Sequence, residues 1–320
     1  MPTNLLHSVY KKHITWQQKL RTGVRSSLSV VILNYNRKKD SVELINSLEK
    51  QSYRKFETIY VDNASSDGSA DKIQRQFPEV KIIRSPKNIG RAGHNLGADT
   101  ARGEILVFLD ADIVLPKDFL SKLASKFKNR KLDAASFFMK DPNGKTYGWE
   151  PNYDSKTKES TFGGGMWSIR RKIFEKVGGF NPDIFIYVDE WDYLLRMWNK
   201  GYKIFYFPDL IGIHKESPYA YRSVMRGYQV IINFAQLYAL YWPMASWGKF
   251  LKHHVSESKN IFTQPNLNKW GAVKGFALAG FYFLKAIPKR KVVSQKALKK
   301  FIRFYFPRKG DIVVGKWGWK

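Results

Sequence analysis

Four short apolar runs within the first 115 residues constrain this chain more than any other feature. They cover residues 29–33, 56–61, 80–84 and 104–113. Each has the length of a buried strand. Between them lie stretches with helical spacing: residues 41–51, with Val42, Ile45 and Leu48 on one face, then 70–76 and 95–102. Ser65-Ser66-Asp67-Gly68-Ser69 supplies turn chemistry and a helix start. The resulting β-α-β-α-β-α-β alternation predicts a parallel sheet covered by helices. Sheets of this kind take ligands at the carboxyl ends of their strands. Three of the four runs end in polar groups: Asn34-Tyr35-Asn36, Asp62-Asn63, and Asp110 with Asp112.

Asp110 and Asp112 close the run Ile105-Leu106-Val107-Phe108-Leu109. Residues two apart on a regular strand point the same way, so both carboxylates can converge at a strand end. Hard oxygen ligands suit Mg²⁺ or Mn²⁺, with phosphate completing the shell. A solvated turn explains the pair equally well when it is taken alone.

The second half carries Phe162-Gly163-Gly164-Gly165-Met166-Trp167-Ser168-Ile169, then a helix predicted over 171–177 and stopped by Gly178-Gly179-Phe180. Another helix starts at Asp189-Glu190-Trp191-Asp192, and a strand over 202–207 is closed by Pro208, with His214 following. Residues 227–248 hold no charged side chain. A helix of about 22 residues would just span a bilayer, but Gln229, Asn233, Gln236 and Pro243 make spanning costly. Val230, Phe234, Leu237, Tyr238 and Tyr241 form one helical stripe and the polar residues another. An amphipathic helix, interfacial or docked on the core, is expected. The apolar stretch 275–284 is too short to span.

The net charge is +28, and residues 249–320 hold 17 Lys/Arg against two acidic residues. Such a field favours a polyanion: nucleic acid, an anionic membrane or a phosphorylated substrate. A basic nucleic-acid-binding protein is one alternative, but Asp62, Asp110, Asp112 and Glu190 would repel phosphate, and no nucleic-acid-binding signature is present. The absence of cysteine excludes disulfides, thiolate metal sites and a cysteine nucleophile, and fits a reducing compartment. Residues 1–25 are polar and basic without an apolar h-region, so no secretory signal is expected.

Taken in order, the motifs resemble glycosyltransferase family 2, whose members transfer sugar from a nucleotide-sugar donor. The matching segments are Val30–Arg37, Val61–Ser69, Asn88–Gly97, Gly103–Asp112, Gly163–Arg171, Val177–Phe180 and Asp189–Arg196, followed by Gly201-Tyr202 and His214. The resemblance implies a GT-A-type, Rossmann-like mixed α/β sheet flanked by helices. It covers 28–217, the expected catalytic domain (donor half 28–115, acceptor half 116–217); composition adds a basic leader at 1–27 and a helical, basic, membrane-associating extension at 218–320. The resemblance implies that Asp62 accepts a hydrogen bond from the nucleobase, usually uracil; an N-cap is the plainer alternative, and Ser65 or Asp67 can fill that job. Asn34, Tyr35, Asn36, Asn88, Arg91, Asn95 and Asp110 fall on the nucleotide-sugar side. The resemblance further implies that Asp112 binds Mg²⁺ or Mn²⁺, that Asp110 contacts the ribose or a metal-bound water, and that His214 can complete the metal shell. The family writes its base motif Glu-Asp; here it reads Asp189-Glu190, so Glu190 is the candidate base and Asp189 its competitor. Gly164 and Gly165 line the acceptor side. Trp167 or Trp191 offers a flat face to a sugar ring, and each can equally be core.

These readings converge on an inverting transferase using a UDP- or dTDP-sugar and a glycan or lipid-linked acceptor. It would be peripheral on the cytoplasmic face of an anionic membrane, with no nucleic-acid partner. A noncatalytic scaffold of the same fold is the other alternative.

Overall fold

The computed structural model describes residues 27–145, 151–215, 224–248, 269–305 and 313–314. All of the expected leader except Ser27, and most of the tail beyond 305, lie outside the described residues.

The first four strands and the helices between them form as the alternation predicts. Strand β1 (Leu28–Asn34) is followed by α1 (Lys38–Glu49), β2 (Phe56–Asp62), α2 (Ser69–Gln76), β3 (Lys81–Arg84), α3 (Gly93–Thr100) and β4 (Ile105–Asp110). Nearly every side chain of β1 and β4 is buried, because helices cover both faces of the sheet. Val31, Ile59, Val61 and Phe108 face one core, and Val30, Ile32, Tyr60 and Val107 face the other. The remaining elements are β5 (Ile113–Val114), α4 (Phe119–Lys126), β6 (Ala134–Lys140), β7 (Tyr153–Asp154), β8 (Met166–Arg170), α5 (Arg171–Val177), α6 (Asp189–Asn199), β9 (Ile204–His214), α7 (Val224–Tyr241), α8 (Lys269–Ala286), α9 (Gln295–Tyr305) and β10 (Val313–Val314).

The main sheet has eight strands in the order β3-β2-β1-β4-β8-β6-β9-β5. The first four are parallel; β8 runs antiparallel to β4 and β6, and β5 antiparallel to β9. The expected mixed α/β sheet is therefore present. Strands β7 and β10 pair separately.

Two local expectations fail, and both shape the site. Residues 104–113 do not form one strand: β4 ends at Asp110, the chain turns through Ala111-Asp112, and β5 resumes on the far edge of the sheet. The same-face argument for Asp110 and Asp112 does not survive that turn. Pro208 also does not close its strand. β9 continues to His214, with Phe207 opposite Phe137 and Ile211 opposite Phe138, so residues 208–210 bulge out of the ladder. A bulge asks no ladder N–H of proline. Beyond it, His214 pairs with Ile113 and so stands beside Asp112.

Helix α7, which carries most of the charge-free run, docks on the core, as one of the two expected placements has it. Its polar stripe is buried as well: Asn233 and Gln236 are as inaccessible as Val230 and Leu237. Helix α9 sends Phe301, Phe304 and Tyr305 into the core that α6 helps to build. It is further tied by ion pairs from Arg303 to Asp154 and from Lys300 to Glu159. No described helix is long and apolar enough to cross a membrane.

Candidate active site

Sheet register levels the strand ends. Asn34 pairs with Asp62, and Leu33 pairs with Asp110, so β2, β1 and β4 present their last residues side by side. Asn34 was expected to touch the nucleotide, but its amide is spent inside the protein. Its Nδ2 donates to Ser65 Oγ (2.9 Å) and Ser69 Oγ (2.8 Å), and its Oδ1 accepts from Ser41 Oγ and the Arg37 amide. Asn36 likewise organises the facing turn, accepting from the Ser66 amide at 2.8 Å. Tyr35 between them is half exposed. Asp67, not Asp62, takes the helix-entry job by accepting from the Ser69 amide at 2.9 Å. Asp62 is buried; Asn34 and the Ser65 amide approach only its Oδ1, and Oδ2 takes no hydrogen bond from the described residues.

The glycine-rich stretch serves packing. A Cβ on Gly93 would stand 2.4 Å from Leu33 Cδ1, and one on Gly97 would stand 2.3 Å from Val31 Cγ1. These glycines, one turn apart, seat α3 directly on β1 and are not cradles for a ligand. Asn88 accepts from Asn63 Nδ2 and the Gly90 amide, which shapes the loop. Asn95 does not reach toward a donor either. It accepts from the Phe180 amide (2.7 Å) and donates to the Phe180 carbonyl (2.8 Å), locking the donor half to the Gly178-Gly179-Phe180 turn. A Cβ on Gly179 would lie 2.4 Å from Asn95 Oδ1, so that turn requires glycine.

Arg91 forms the centre. Its Nη1 lies 2.6 Å from Asp110 Oδ1 and its Nε 3.0 Å from Asp189 Oδ2. Asp110 was expected among the metal ligands; it is engaged by Arg91 instead. Burial pushes the Asp110 carboxyl up, but Arg91 and the neighbouring His94 outweigh it and hold the group well below the ordinary range. His94 is fully buried, 3.7 Å from Asp110, with its pKa lowered to about 4 by burial and then by Arg91's charge, against the pull of Asp110. Burial raises Asp189, which Arg91 opposes. Glu190 is pushed up to about 8, first by burial and then by the charge of Asp189.

Asp112 sits across the turn, with its Oδ1 3.4 Å from His214 Nε2 and its Oδ2 3.4 Å from Arg37 Nη2. That Oδ1 is buried and takes no hydrogen bond from the described residues. Among the described residues no group of three carboxylate or imidazole side chains is already gathered as a metal cage. Gly165 lies between Asp110 and His214: a Cβ there would be 3.5 Å from Asp110 Oδ2 and 3.6 Å from His214 Nε2. Its φ of +97° is a glycine conformation in any case. A Cβ on Gly164 would stand 2.8 Å from Glu190 Oε1.

Neither tryptophan faces a cavity wall as a sugar platform. Trp167 is stacked between Phe162 (4.4 Å between centroids) and Phe108 (5.0 Å). Trp191 is enclosed by Phe234, Phe301 and Tyr305. Both are core residues, whose broad apolar area is most favourable when buried. Asp192 grips Arg196 at 2.6 Å and accepts from the Tyr241 hydroxyl at 2.6 Å, which leaves Asp189 and Glu190 as the acids beside Arg91.

The turn before α6 is strained. Tyr187 (φ +63°) and Val188 (φ +65°) are consecutive left-handed residues that are not glycine, each costing on the order of 1–2 kcal/mol. Asn233 of α7 holds this turn, its Nδ2 donating to the carbonyls of Ile186 (2.8 Å) and Tyr187 (2.9 Å).

Residues 29–188 match the model of the family described as "Glycosyl transferase family 2". The chain belongs to that family. Among similar curated proteins is the uncharacterized glycosyltransferase YwdF of Bacillus subtilis, 28% identical over 55% of this chain and 69% of YwdF. Among solved structures, S. aureus TarS is 21% identical with a TM-score of 0.57, the match covering 82% of this chain and 49% of TarS. Mannosyltransferase PcManGT of Pyrobaculum calidifontis, solved with GDP-Man and Mn²⁺, is 19% identical with a TM-score of 0.52, covering 88% of this chain and 79% of PcManGT. The chain thus spans about half of the TarS chain, and at these identities the structures establish a shared fold.

Within this family 2 fold, three functional side chains escaped the sequence. Arg37 and His94 lie inside matching motifs, but nothing in their spacing marks their partners. Asn233 lies beyond the matched region; its signal was a polar stripe within the charge-free run 227–248.

Proposed function

We propose that this family 2 enzyme transfers a sugar from a nucleotide-diphosphate sugar, UDP- or dTDP-linked, to a glycan or lipid-linked acceptor with inversion at the anomeric carbon. The observation that carries the reading is the contrast between two adjacent acids. Asp189 is pinned by Arg91, whereas no side chain among the described residues is hydrogen-bonded to the Glu190 carboxylate, which meets only a backbone amide and borders the side-chain-free space at Gly164.

In this reading Glu190 takes the proton of the acceptor hydroxyl as its oxygen bonds to the anomeric carbon. The bond from that carbon to the diphosphate oxygen breaks on the opposite face, its electron pair leaves with the nucleotide diphosphate, and the configuration inverts. Arg91 sets positive charge beside the reacting centre and keeps Asp189 from competing. Asp62, with Oδ2 unengaged by the described residues, accepts the imide N–H of uracil or thymine, and half-exposed Tyr35 lies against the base.

Asp112 and His214 suit a divalent cation: a buried carboxylate oxygen that takes no hydrogen bond from the described residues faces an imidazole nitrogen 3.4 Å away. Two protein ligands leave room for diphosphate oxygens and water. Mg²⁺ or Mn²⁺ held there would neutralise charge on the leaving diphosphate. Asp110 orients Arg91 and faces the ribose side. The enzyme would work peripherally on an anionic, cytoplasmic membrane face, with nucleic acid excluded as a partner.

A screen of UDP-, GDP- and dTDP-sugars with Mn²⁺ and Mg²⁺ tests this. Hydrolysis or transfer is expected with a pyrimidine-linked donor and is expected to fail in Glu190→Gln. Full transfer by that variant, or no turnover of any donor by the natural chain, would overturn it.

A further inference from the structure

We infer that the outer face of α8 is the surface on which this protein docks to an anionic lipid bilayer. The inference rests on the membrane-peripheral reading above and names the element responsible. The charge-free run 227–248 is not that element. Its helix α7 is consumed by the core on one side and by α8 on the other.

Helix α8 has two unlike faces. Gly271, Ala272 and Gly275 are buried; a Cβ on Gly275 would already lie 3.0 Å from Ile231 Cβ and from Tyr228 Cα of α7. That small-residue seam fixes the rotation of the helix. The opposite face then turns Trp270 (79% exposed), Val273, Phe281 (63%) and Leu284 (65%) into solvent. Their spacing of three, eight and three residues keeps them on one stripe of an α-helix. Met244, in the turn after α7, adds a further exposed apolar side chain. Among the described residues no element covers this stripe.

The charge around the stripe selects its occupant. Lys269, Lys274, Lys285 and Lys291 are all exposed, and residues 258–310 contain no acid at all. Lysine stems can lie along the apolar stripe while their ammonium groups meet lipid phosphates. A second copy of the chain seated on the same face would bring these lysines against one another, which two-fold pairing cannot avoid. Nucleic acid would use the lysines and leave Trp270, Phe281 and Leu284 in water. A bilayer interface uses both: apolar insertion and basic attraction are weak singly and effective together.

The full-length chain is tested by sedimentation with vesicles of phosphatidylcholine alone and of phosphatidylcholine with phosphatidylglycerol. Binding is expected only to the anionic vesicles and is expected to weaken in high salt. The double variant Phe281→Glu/Leu284→Glu should bind at least roughly tenfold more weakly, with its affinity for UDP and Mn²⁺ unchanged. Because the chain has no cysteine, a single Phe281→Cys can carry an environment-sensitive fluorophore. Its emission should shift to the blue on anionic vesicles, and that of Lys72→Cys on α2 should not. Equal binding to neutral and anionic vesicles, a silent label at position 281, or a dimer that the double variant converts to monomer would overturn the assignment. Glu190→Gln should still bind vesicles, so failure of the catalytic reading is distinguishable from failure of this one.

Discussion

Glu190→Gln should make the protein more stable while making it inactive. The folded-state pKa of Glu190 is raised from 4.5 to about 8, by burial and then by Asp189. Below pH 4.5 the carboxyl is protonated in both states and costs nothing. As pH rises above 4.5 the unfolded chain ionises while the folded one keeps its proton, so stability falls until about pH 8, where the folded group also ionises. At about 1.4 kcal/mol per pKa unit, the loss amounts to several kcal/mol at its plateau. Glutamine has the same shape and no proton to hold. The variant should therefore match the natural chain near pH 4.5 and exceed it at pH 8.5, by about 5 °C or more in Tm. Thermal melts of the metal-free full chain from pH 4.5 to 9 would read this directly. Over the same range kcat/KM of the natural chain should climb and level above about pH 8, since the base must be ionised to accept a proton. Glu190→Gln should lose transfer by about 100-fold or more. A variant that melts with or below the natural chain at pH 8.5 would show that Glu190 is not desolvated, and the argument for its role would fall with that.

Asp112→Asn should abolish the Mn²⁺-dependent part of UDP affinity, measured by titration calorimetry, because it removes the anionic ligand; unchanged metal-dependent binding would contradict the assignment. Gly164→Ala should cut transfer with little change in donor affinity, since its Cβ would stand 2.8 Å from Glu190 Oε1; steady-state kinetics separates the two effects. Asn95→Ala should cost about 2–3 kcal/mol in urea unfolding, because it strands both the amide and the carbonyl of Phe180. A loss of donor binding without a loss of stability would instead return Asn95 to the nucleotide.

The donor half was legible because strand ends in a parallel sheet are fixed by period and length. Asp62 and Asp110 stand where the apolar runs stop, and register brings them level. Asp112 and His214 were named from motif alone, and their meeting depends on a bulge at Pro208 that periodicity does not announce. Asn34 and Asn95 were misplaced, and Trp167 and Trp191 were left open between sugar platform and core, for a shared reason. A polar or aromatic side chain near a site looks the same in sequence whether it faces the ligand or the scaffold, and only its partners decide. Asn95 finds Phe180 across 85 residues, a separation no local pattern can reveal. The charge-free segment was ambiguous because burial in a bilayer and burial in a core ask for the same composition.

The hold of Asn233 on the turn at Ile186 and Tyr187 has a consequence for how acceptor range can be altered. The acid is carried by one stretch of chain and steadied by another that begins more than thirty residues later. A crossover with a relative between β9 and α7 would exchange the support beneath that turn while inheriting the donor strands intact. Chimeras of this kind would vary the receiving half of the cleft against a constant donor, and the exchange would be expected to succeed only where the incoming helix brings an amide of its own to position 233.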